Sequence, residues 1–230
     1  MKRIGIIVAM DKEFAQLRAL LGDARKENRN NKDFVLGTLD GMEIILQKCG
    51  IGKVNAAIGA VEMIDGFHPD VVISSGCAGG ADVDLNVMDV VVASECTYHD
   101  VYCGDNAEYG QVIGLPDRFK APEDLVEKAL SITMPEGQKI KSGLTVSGDW
   151  FVDSREKMRS ILGHFPDVEA VDMESCAIAQ TCHIYGVPFV SFRVISDVPL
   201  KDTKASQYFD FWDRVSKDSF EVTRSFLRLL

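Results

Sequence analysis

The amino-acid sequence predicts an α/β protein in which helices cover both faces of a largely parallel sheet. Apolar runs of strand length alternate along the chain with segments whose apolar residues recur at helical spacing. Several of these runs are apolar almost throughout, which is typical of strands buried on both faces. A hairpin signal at Asp40-Gly41 adds antiparallel character near the N-terminus.

The first half of the chain contains five predicted strands and two predicted helices. The strands are Ile4–Ala9, Phe34–Leu39, Met42–Lys48, Val71–Ser75 and Val90–Ser94. Asp40-Gly41 joins the second of these strands to the third. The helices are Asp11–Leu21, with apolar residues at helical spacing, and Val54–Ile64, which is rich in small residues.

The second half continues the alternation. Predicted helices end at Leu130, Leu162 and Tyr185, and predicted strands cover Ile140–Ser147 and Phe189–Ile195. Pro122 opens the first of these helices, Asp153 with Glu156 forms a capping box for the second, and Ala170-Val171 leads into the third, which Gly186 ends. A long C-terminal helix follows, with an apolar face made of Tyr208, Trp212, Val215, Val222, Phe226 and Leu229.

The length of 230 residues suits one domain of the larger α/β kind, spanning residues 1–230. A net charge of −10 argues against a nucleic-acid partner, because phosphate backbones bind clustered Lys and Arg. No apolar run approaches transmembrane length, so we expect no membrane partner. Ile4–Met10 imitates a short signal sequence, but the charged residues that follow favour a buried first strand. Six scattered cysteines without a Cys-x-x-Cys pair indicate a cytoplasmic protein and no metal site.

Ligands of such sheets bind where strands end in loops, so the segments that follow predicted strands form the candidate site. Met10-Asp11-Lys12-Glu13 is explained on its own by acidic residues at a helix N-terminus. Cys49–Ala57 imitates the Gly-x-Gly of a dinucleotide fold, but its place after a hairpin favours a tight turn beside a ligand. Ser74–Gly80 is either a surface loop or a loop whose backbone approaches a ligand, and we expect Cys77 there to be inert.

Three further segments place aromatic or charged side chains at strand ends. Trp150 and Phe151 either stack on a planar base or belong to the core. Asp172 is explained as a helix cap, which leaves Glu174 as an ionised acceptor suited to a vicinal diol. Arg193 lies in a very apolar strand and needs an anionic or polar partner, for which Asp197 is one candidate.

Read jointly, these segments resemble the 5′-methylthioadenosine/S-adenosylhomocysteine nucleosidase family, within the nucleoside phosphorylase superfamily, nearly from end to end. The residues that carry the resemblance are Ile4-Gly5-Ile6-Ile7 with Ala9-Met10, Gly50-Ile51-Gly52-Lys53-Val54, Gly76 with Ala78-Gly79-Gly80, Tyr98-His99-Asp100, Tyr109-Gly110-Gln111, Val146-Ser147-Gly148-Asp149, Met173-Glu174 and Ile195-Ser196-Asp197. The resemblance implies a three-layer α/β sandwich around a mixed, partly barrel-like sheet. It also implies an adenine nucleoside as the ligand, a homodimer, and no metal or organic cofactor.

The resemblance assigns roles to matching positions. Glu13 would position and activate the attacking water, and Asp197 would protonate the departing purine at N7. Glu174 would hold the ribose hydroxyls, and Arg193 would help to order the water and the acid groups. The implied substrate-binding residues are Met10, Ile51, Cys77, Ala78, Gly79, Phe151, Val152, Met173, Ser196 and Tyr208.

Cleavage of a glycosidic bond builds positive charge on the ribose and negative charge on the base. The pKa of Asp197 must therefore be raised, so that it can hold a proton, while that of Glu174 must stay low. Burial would raise the pKa of Asp197, and Arg193 would lower it if it lay close. In this scheme Phe151 stacks on adenine while the backbone of Val152 reads its Watson–Crick edge.

The sequence departs from the family's pattern at three places. Cys77 stands where Ser is usual, and Asp172 replaces the usual Glu before Met173. The stretch Val101–Glu108 is shorter and more polar than the family's loop, which leaves the 5′-substituent open.

Three alternatives remain at this point. A phosphorylase on the same fold would need cations for phosphate, and Lys12 is the cation nearest the candidate carboxylates in sequence. A nucleoside-binding module without activity would not need Glu13, Glu174 and Asp197 together. Another 5′-modified adenine nucleoside, such as an aminofutalosine-type compound, would suit the same residues.

Overall fold

The structure is a computed structural model that describes residues 1–30, 32–201, Tyr208, Phe211 and 221–230. Ten strands form one sheet: β1 (Arg3–Val8), β2 (Gly22–Arg29), β3 (Lys32–Leu39), β4 (Met42–Lys48), β5 (Val71–Gly80), β6 (Val90–Tyr98), β7 (Phe119–Lys120), β8 (Ile140–Ser147), β9 (Val168–Asp172) and β10 (Phe189–Asp197). The helices of the described ranges are α1 (Asp11–Arg18), α2 (Lys53–Phe67), α3 (Glu123–Leu130), α4 (Arg155–Leu162), α5 (Ser175–Tyr185) and α6 (Glu221–Leu227). In these ranges, no helix combines the length and the apolar character that crossing a membrane requires.

Five strands close into a barrel in the order β10, β6, β8, β9 and β5, and β5 then pairs back with β10. From β5 the sheet extends outward through β1, β4, β3 and β2. Neighbours such as β1 and β5, or β6 and β8, are parallel, whereas β3 and β4 are antiparallel. The prediction of a mixed, partly barrel-like sheet is confirmed.

Strand β5 changes its partner along one edge, and this change positions the candidate site. Its first half pairs with β1, from Ile4↔Val71 to Ile7↔Ser74, whereas its end pairs with β9 at Gly79↔Val171. On its other edge, β5 pairs with β10 from Val72 to Gly79. Residues 75–78 therefore border a gap between β1 and β9, where their backbone groups can meet a side chain or a ligand.

Helices cover the sheet on two sides. On one side, α2 and α5 bury apolar residues such as Met63 and Ile178 against it. On the other side, α1, α3 and α6 contribute Leu17, Leu125 and Phe226 to a second apolar cluster. Removing this apolar surface from water is the main term that stabilises the three layers, and it confirms the predicted sandwich.

The predicted hairpin is present, but three strands, β2, β7 and β9, were not predicted. Strand β7 is only two residues long. Asp40 and Gly41 have φ values of 48° and 83°, as a tight hairpin turn with two left-handed residues needs. Strand β2 gave no signal because it is a polar, largely exposed edge strand. Strand β9 was read as the start of a helix, and that prediction is wrong: the helix begins only at Ser175.

Other boundaries also differ from the prediction. The glycine-rich segment is not a loop after Ser75, because β5 continues as a strand through Gly80. Helix α4 is capped by Ser154, whose Oγ accepts the Lys157 N–H at 3.3 Å, and not by Asp153. Asp153 instead pairs with the Lys157 ammonium at 2.8 Å.

The predicted C-terminal helix is only partly described. Val222 and Phe226 are buried on α6, as expected of its apolar face. Leu229 follows the end of α6 and is 42% exposed, so its placement on that face is wrong. Trp212 and Val215 lie outside the described residues.

Candidate active site

A cavity opens where β1, β5, β9 and β10 end, and the empty space in it and at its mouth is about 640 Å³. All but one of the predicted site residues line it: Met10, Glu13, Ile51, Cys77, Ala78, Gly79, Phe151, Val152, Met173, Glu174, Ser196, Asp197 and Tyr208. The exception is Arg193, which is buried behind the wall. Four further residues, Ala9, Trp150, Val171 and Asp172, also line the cavity. They lie in or directly beside the segments singled out at the strand ends, and this position is the signal that could have included them.

Glu13 is buried and points away from solvent, although it lies in the first turn of α1. Its Oε2 accepts the N–H groups of Ala9 at 3.0 Å and Met10 at 2.9 Å, and its Oε1 accepts that of Cys77 at 3.1 Å. The Met10 bond closes the N-terminus of α1, as the helix-end explanation of Glu13 requires, but the burial of Glu13 and its bond to Cys77 go beyond that explanation. Asp11 beside it is exposed and pairs with Lys48.

The surroundings of Glu13 act on its pKa in opposite directions. Burial raises the pKa, while the Arg193 guanidinium and the three N–H donors lower it. The Cys77 N–H can reach Glu13 because, among the strands of the described residues, none pairs with β5 at residues 75–78 on that edge. A carboxylate held by several fixed donors is oriented and favoured in its ionised form.

Glu13 and Arg193 both approach Gly76 closely. A Cβ at this position would lie 2.8 Å from Glu13 Oε1 and 2.8 Å from Arg193 Nη1. Both groups therefore approach the β5 backbone at a point that only glycine leaves open. The family-like glycine here has a packing reason and is not merely a flexible loop residue.

Arg193 pairs with Asp172 and not with Asp197, which corrects one of the candidates considered from sequence. Its Nε lies 2.5 Å from Asp172 Oδ2, and its Nη2 donates to Ser74 Oγ at 2.7 Å. Asp172 also accepts the Ser147 hydroxyl and the backbone N–H of Ser175. The buried pair is thus held by several hydrogen bonds, as buried charges need.

Asp197 ends β10 in a much less polar setting. A register irregularity between Ile195 and Asp197 turns this end of the strand. Asp197 Oδ1 accepts the Ser196 hydroxyl at 2.6 Å, and the same hydroxyl lies 3.2 Å from the Ala78 carbonyl oxygen. Burial raises the pKa of Asp197, and the Ser196 hydrogen bond opposes this. The direction is the one that a proton donor requires.

Glu174 lies between β9 and α5, and its Oε1 accepts the Gly52 N–H at 2.9 Å. Burial and the neighbouring Asp172 charge raise its pKa to about 8, against the effect of Arg193. The expectation that the pKa of Glu174 stays low is therefore wrong. The helix N-terminus does not compensate for the loss of water around this side chain.

Three aromatic residues, Trp150, Phe151 and Tyr208, form part of the cavity wall. Phe151 is 48% exposed, so it is not a core residue. Its ring meets that of Tyr208 edge to face, with centroids 5.2 Å apart, and the Tyr208 hydroxyl lies 3.6 Å from Met10 Sδ. Such half-exposed rings offer a stacking surface to a planar ligand.

The remaining chemistry of the site is limited. Burial raises the pKa of the Cys77 thiol well above its usual value, which disfavours the reactive thiolate. Within the described residues, no group of three His, Cys, Asp or Glu side chains is arranged to hold a metal ion. No Lys or Arg of the described chain lines the cavity, because Arg193 is turned towards Asp172.

Comparison with known proteins gives a consistent result. Residues 3–228 match the phosphorylase superfamily. A 5′-methylthioadenosine/S-adenosylhomocysteine nucleosidase of Bacillus velezensis is 38% identical over 231 residues, which cover 98% of each chain. The nucleosidase of that name from Neisseria meningitidis, solved in complex with methylthio-immucillin-A, has a TM-score of 0.93 and 38% identity, with 100% of each chain covered. Futalosine hydrolase of Helicobacter pylori strain 26695 has a TM-score of 0.91 and 28% identity, covering 100% of this chain and 98% of that one.

Proposed function

The chain belongs to the 5′-methylthioadenosine/S-adenosylhomocysteine nucleosidase family of the phosphorylase superfamily, and from that membership we infer the chemistry of its cavity. It hydrolyses the N-glycosidic bond of 5′-thio-substituted adenosines and releases adenine. The observation that supports this function most directly is that Glu13 and Asp197 line one cavity but have different surroundings. Carboxyl groups in separate crevices would have excluded it.

We propose Asp197 as the general acid. Its buried carboxyl holds a proton, which it gives to N7 of the purine as the C1′–N9 bond breaks and the electron pair moves to the base. Phe151 stacks on the adenine ring, and the backbone of Val152 reads its Watson–Crick edge. Ser196 keeps the Asp197 carboxyl in place through the bond at 2.6 Å.

Glu13 is proposed as the base that positions the water. The water oxygen forms the new bond to C1′ and its proton passes to Glu13. Arg193, 2.8 Å from the same Gly76 Cβ position as the Glu13 oxygen, helps to order these groups. The enzyme is reset when Glu13 releases a proton and Asp197 takes one up. General acid and general base steps of this kind each contribute about 10²–10⁴-fold.

Glu174 is proposed to bind the ribose hydroxyls. Its raised pKa means that it accepts hydrogen bonds best when the positive charge that develops on the ribose favours the ionised form. Met10, Ile51 and Met173 line the sugar and alkylthio side of the cavity, while Cys77, Ala78 and Gly79 bring the β5 backbone close to the ligand.

Water, and not phosphate, is the proposed nucleophile. The cavity wall in the described residues carries carboxyl groups and no Lys or Arg, and a carboxylate repels phosphate. The same carboxyl pair also argues against a module that binds nucleosides without cleaving them. The similarity to futalosine hydrolase favours an adenine nucleoside with another 5′-substituent as the second candidate substrate. The more similar relatives favour the thio-substituted nucleosides.

A homodimer is proposed in addition, as are a single domain over residues 1–230 and a cytoplasmic location. Val54 and Ile58 lie four residues apart in the first turns of α2, and Ile51 lies just before the helix. The three side chains are 45–71% exposed, which suits a covered interface. All six cysteines are free, as in a reducing compartment. Sedimentation of the wild-type chain beside Val54→Asp tests the dimer: a monomeric wild type, or a dimer that Val54→Asp leaves intact, overturns this assignment.

The decisive experiment measures the products. Wild-type protein is given 5′-methylthioadenosine with and without phosphate, and adenine, free sugar and sugar 1-phosphate are quantified by chromatography. We expect adenine and free sugar in equal amounts, independent of phosphate. Asp197→Asn should lose about 10²–10⁴-fold in kcat but still bind adenine. Formation of a sugar phosphate, or unchanged turnover in Asp197→Asn, contradicts the proposal.

A further inference from the structure

Apart from Ile51, which lines the cavity, three of the sequence motifs are given no role in the chemistry proposed above: Gly50–Val54, Tyr98–Asp100 and Val146–Asp149. They lie far apart in sequence, at the start of α2, the end of β6 and the end of β8. The structure brings them together through Lys53, Asp100 and Asp149.

These three residues form a closed ring of contacts. The Lys53 ammonium lies 2.8 Å from both carboxylate oxygens of Asp100. The backbone N–H of Asp149 donates to Asp100 Oδ2 at 2.9 Å, and the backbone N–H of Lys53 donates to Asp149 Oδ1 at 2.9 Å. Each segment is thus bound to the other two by a charged group.

The ring is partly shielded from water. The side chains of Lys53 and Asp100 are 24% and 11% exposed, so salt screens their attraction less than it screens a surface pair. Glycines allow the close approach: a Cβ on Gly52 would lie 2.9 Å from Asp149 Oδ1, and one on Gly148 would collide with the His99 ring. The segments therefore touch where side chains are absent.

The ring lies between two groups that the substrate must reach at once. Gly52, next to Lys53, donates its N–H to Glu174 at 2.9 Å. Phe151 follows Asp149 by two residues on the segment after β8. We propose that Lys53, Asp100 and Asp149 are positioning residues that form a clamp, which fixes the separation between the ribose-binding Glu174 and the base-stacking Phe151. This inference rests on the proposed function.

The clamp makes a specific prediction about ligands. A nucleoside spans both Glu174 and Phe151, whereas adenine needs only the base side. Loosening the clamp should therefore weaken the nucleoside and leave adenine binding unchanged. Misplacement of a substrate by up to about 1 Å costs on the order of 10–100-fold in kcat/KM.

The test uses Lys53→Met, Asp100→Asn and the double variant of the full chain. For each we would measure kcat and KM with 5′-methylthioadenosine, Kd for adenine, Tm, and hydrogen exchange of the Asp149 amide. Lys141→Met is the matched control, because Lys141 is 28% exposed and lies 2.9 Å from the Asp82 carboxylate near the other end of β8. Lys53→Arg, which keeps the charge, should retain more activity than Lys53→Met. If Asp100→Asn does not fold, the comparison of Lys53→Arg with Lys53→Met replaces it.

The clamp is supported if kcat/KM falls about 10–100-fold in each single variant, the double variant falls no further, and adenine Kd is unchanged. Equal weakening of adenine and nucleoside, additive losses, or losses matched by Lys141→Met overturn it. If the wild-type chain releases no adenine, the proposed function fails separately. The clamp then depends on hydrogen exchange, and an Asp149 amide no faster in Asp100→Asn than in Lys141→Met overturns it.

Discussion

Glu13 and Asp197 share one cavity and are both carboxylic acids whose pKa is raised by burial, yet the protein surrounds them in opposite ways. Glu13 accepts three backbone N–H groups and feels the charge of Arg193. Asp197 accepts the hydroxyl of Ser196. Fixed donors favour the ionised form of Glu13, whereas Asp197 has little to hold it ionised, so the difference teaches which carboxyl is suited to take a proton and which to give one.

The contrast originates in the sheet. The donors to Glu13 come from the turn after β1 and from the gap between β1 and β9 along β5. Asp197 instead follows the irregular end of β10, where the strand turns towards the cavity. One carboxyl is therefore held by backbone that the barrel leaves unpaired, and the other by the last residues of a buried strand.

Replacing Glu13, the carboxylate that accepts three backbone N–H groups, should have the largest effect on kcat. In Glu13→Gln, one terminal atom becomes an NH₂ group that cannot accept the N–H bonds that Glu13 receives, and the base is lost. We expect kcat to fall by about 10³–10⁴-fold, near the upper end for a general base. Steady-state kinetics beside Glu123→Gln, an exposed glutamate on α3, provide the measurement and its control. A Glu13→Gln enzyme that keeps most of its kcat would show that the two carboxyl groups do not differ in the way described.

The second change keeps both carboxyl groups and alters only the distance between Glu13 and Arg193. Gly76→Ala places a methyl group 2.8 Å from each of them, so one must move. We expect a loss of about 10–100-fold in kcat, with adenine binding retained. Gly22→Ala is the control, since a Cβ at Gly22 meets no atom within 4 Å. Full activity in Gly76→Ala would mean that catalysis does not need the close approach of Glu13 and Arg193 at Gly76.

The smallest effect is expected for Ser196→Ala, which tests the surroundings of Asp197 through the pH dependence of kcat. The Ser196 hydroxyl lowers the pKa of Asp197, so Ser196→Ala should raise it. Activity requires protonated Asp197 and is lost as pH rises through its pKa. The alkaline limb of the kcat profile should therefore move to higher pH, with a few-fold change in rate near neutrality, whereas Ser142→Ala should leave the profile unchanged. A limb that stays in place or moves to lower pH contradicts the assignment of Asp197.

The sequence predicted the sandwich, the hairpin and the segments that line the cavity, because period, turn residues and strand ends are local signals. It did not reveal β9, since Val168–Asp172 is short and runs into a helical pattern. It also left the partner of Arg193 open, because Asp172 reaches it only when β9 and β10 both join the barrel.

Burial was the other quantity that local pattern could not supply. The pKa of Glu174 was expected to stay low from its helix-end position, but desolvation by burial outweighs that effect. The contacts among Lys53, Asp100 and Asp149 could not be predicted either, because they join segments that are far apart in sequence. Each of these residues stood in a motif, and only the folded chain places the motifs side by side.

The unpaired edge of β5 has a consequence for how the chain can vary over evolution. Cys77 serves Glu13 through its main-chain N–H, so many side chains could replace the thiol without removing that donor. Its neighbour Gly76 has no such freedom, because any added carbon enters the space of two charged groups. Adjacent codons should therefore tolerate mutation very differently, and the exchange of serine for cysteine at position 77 is the kind of drift that such a site permits.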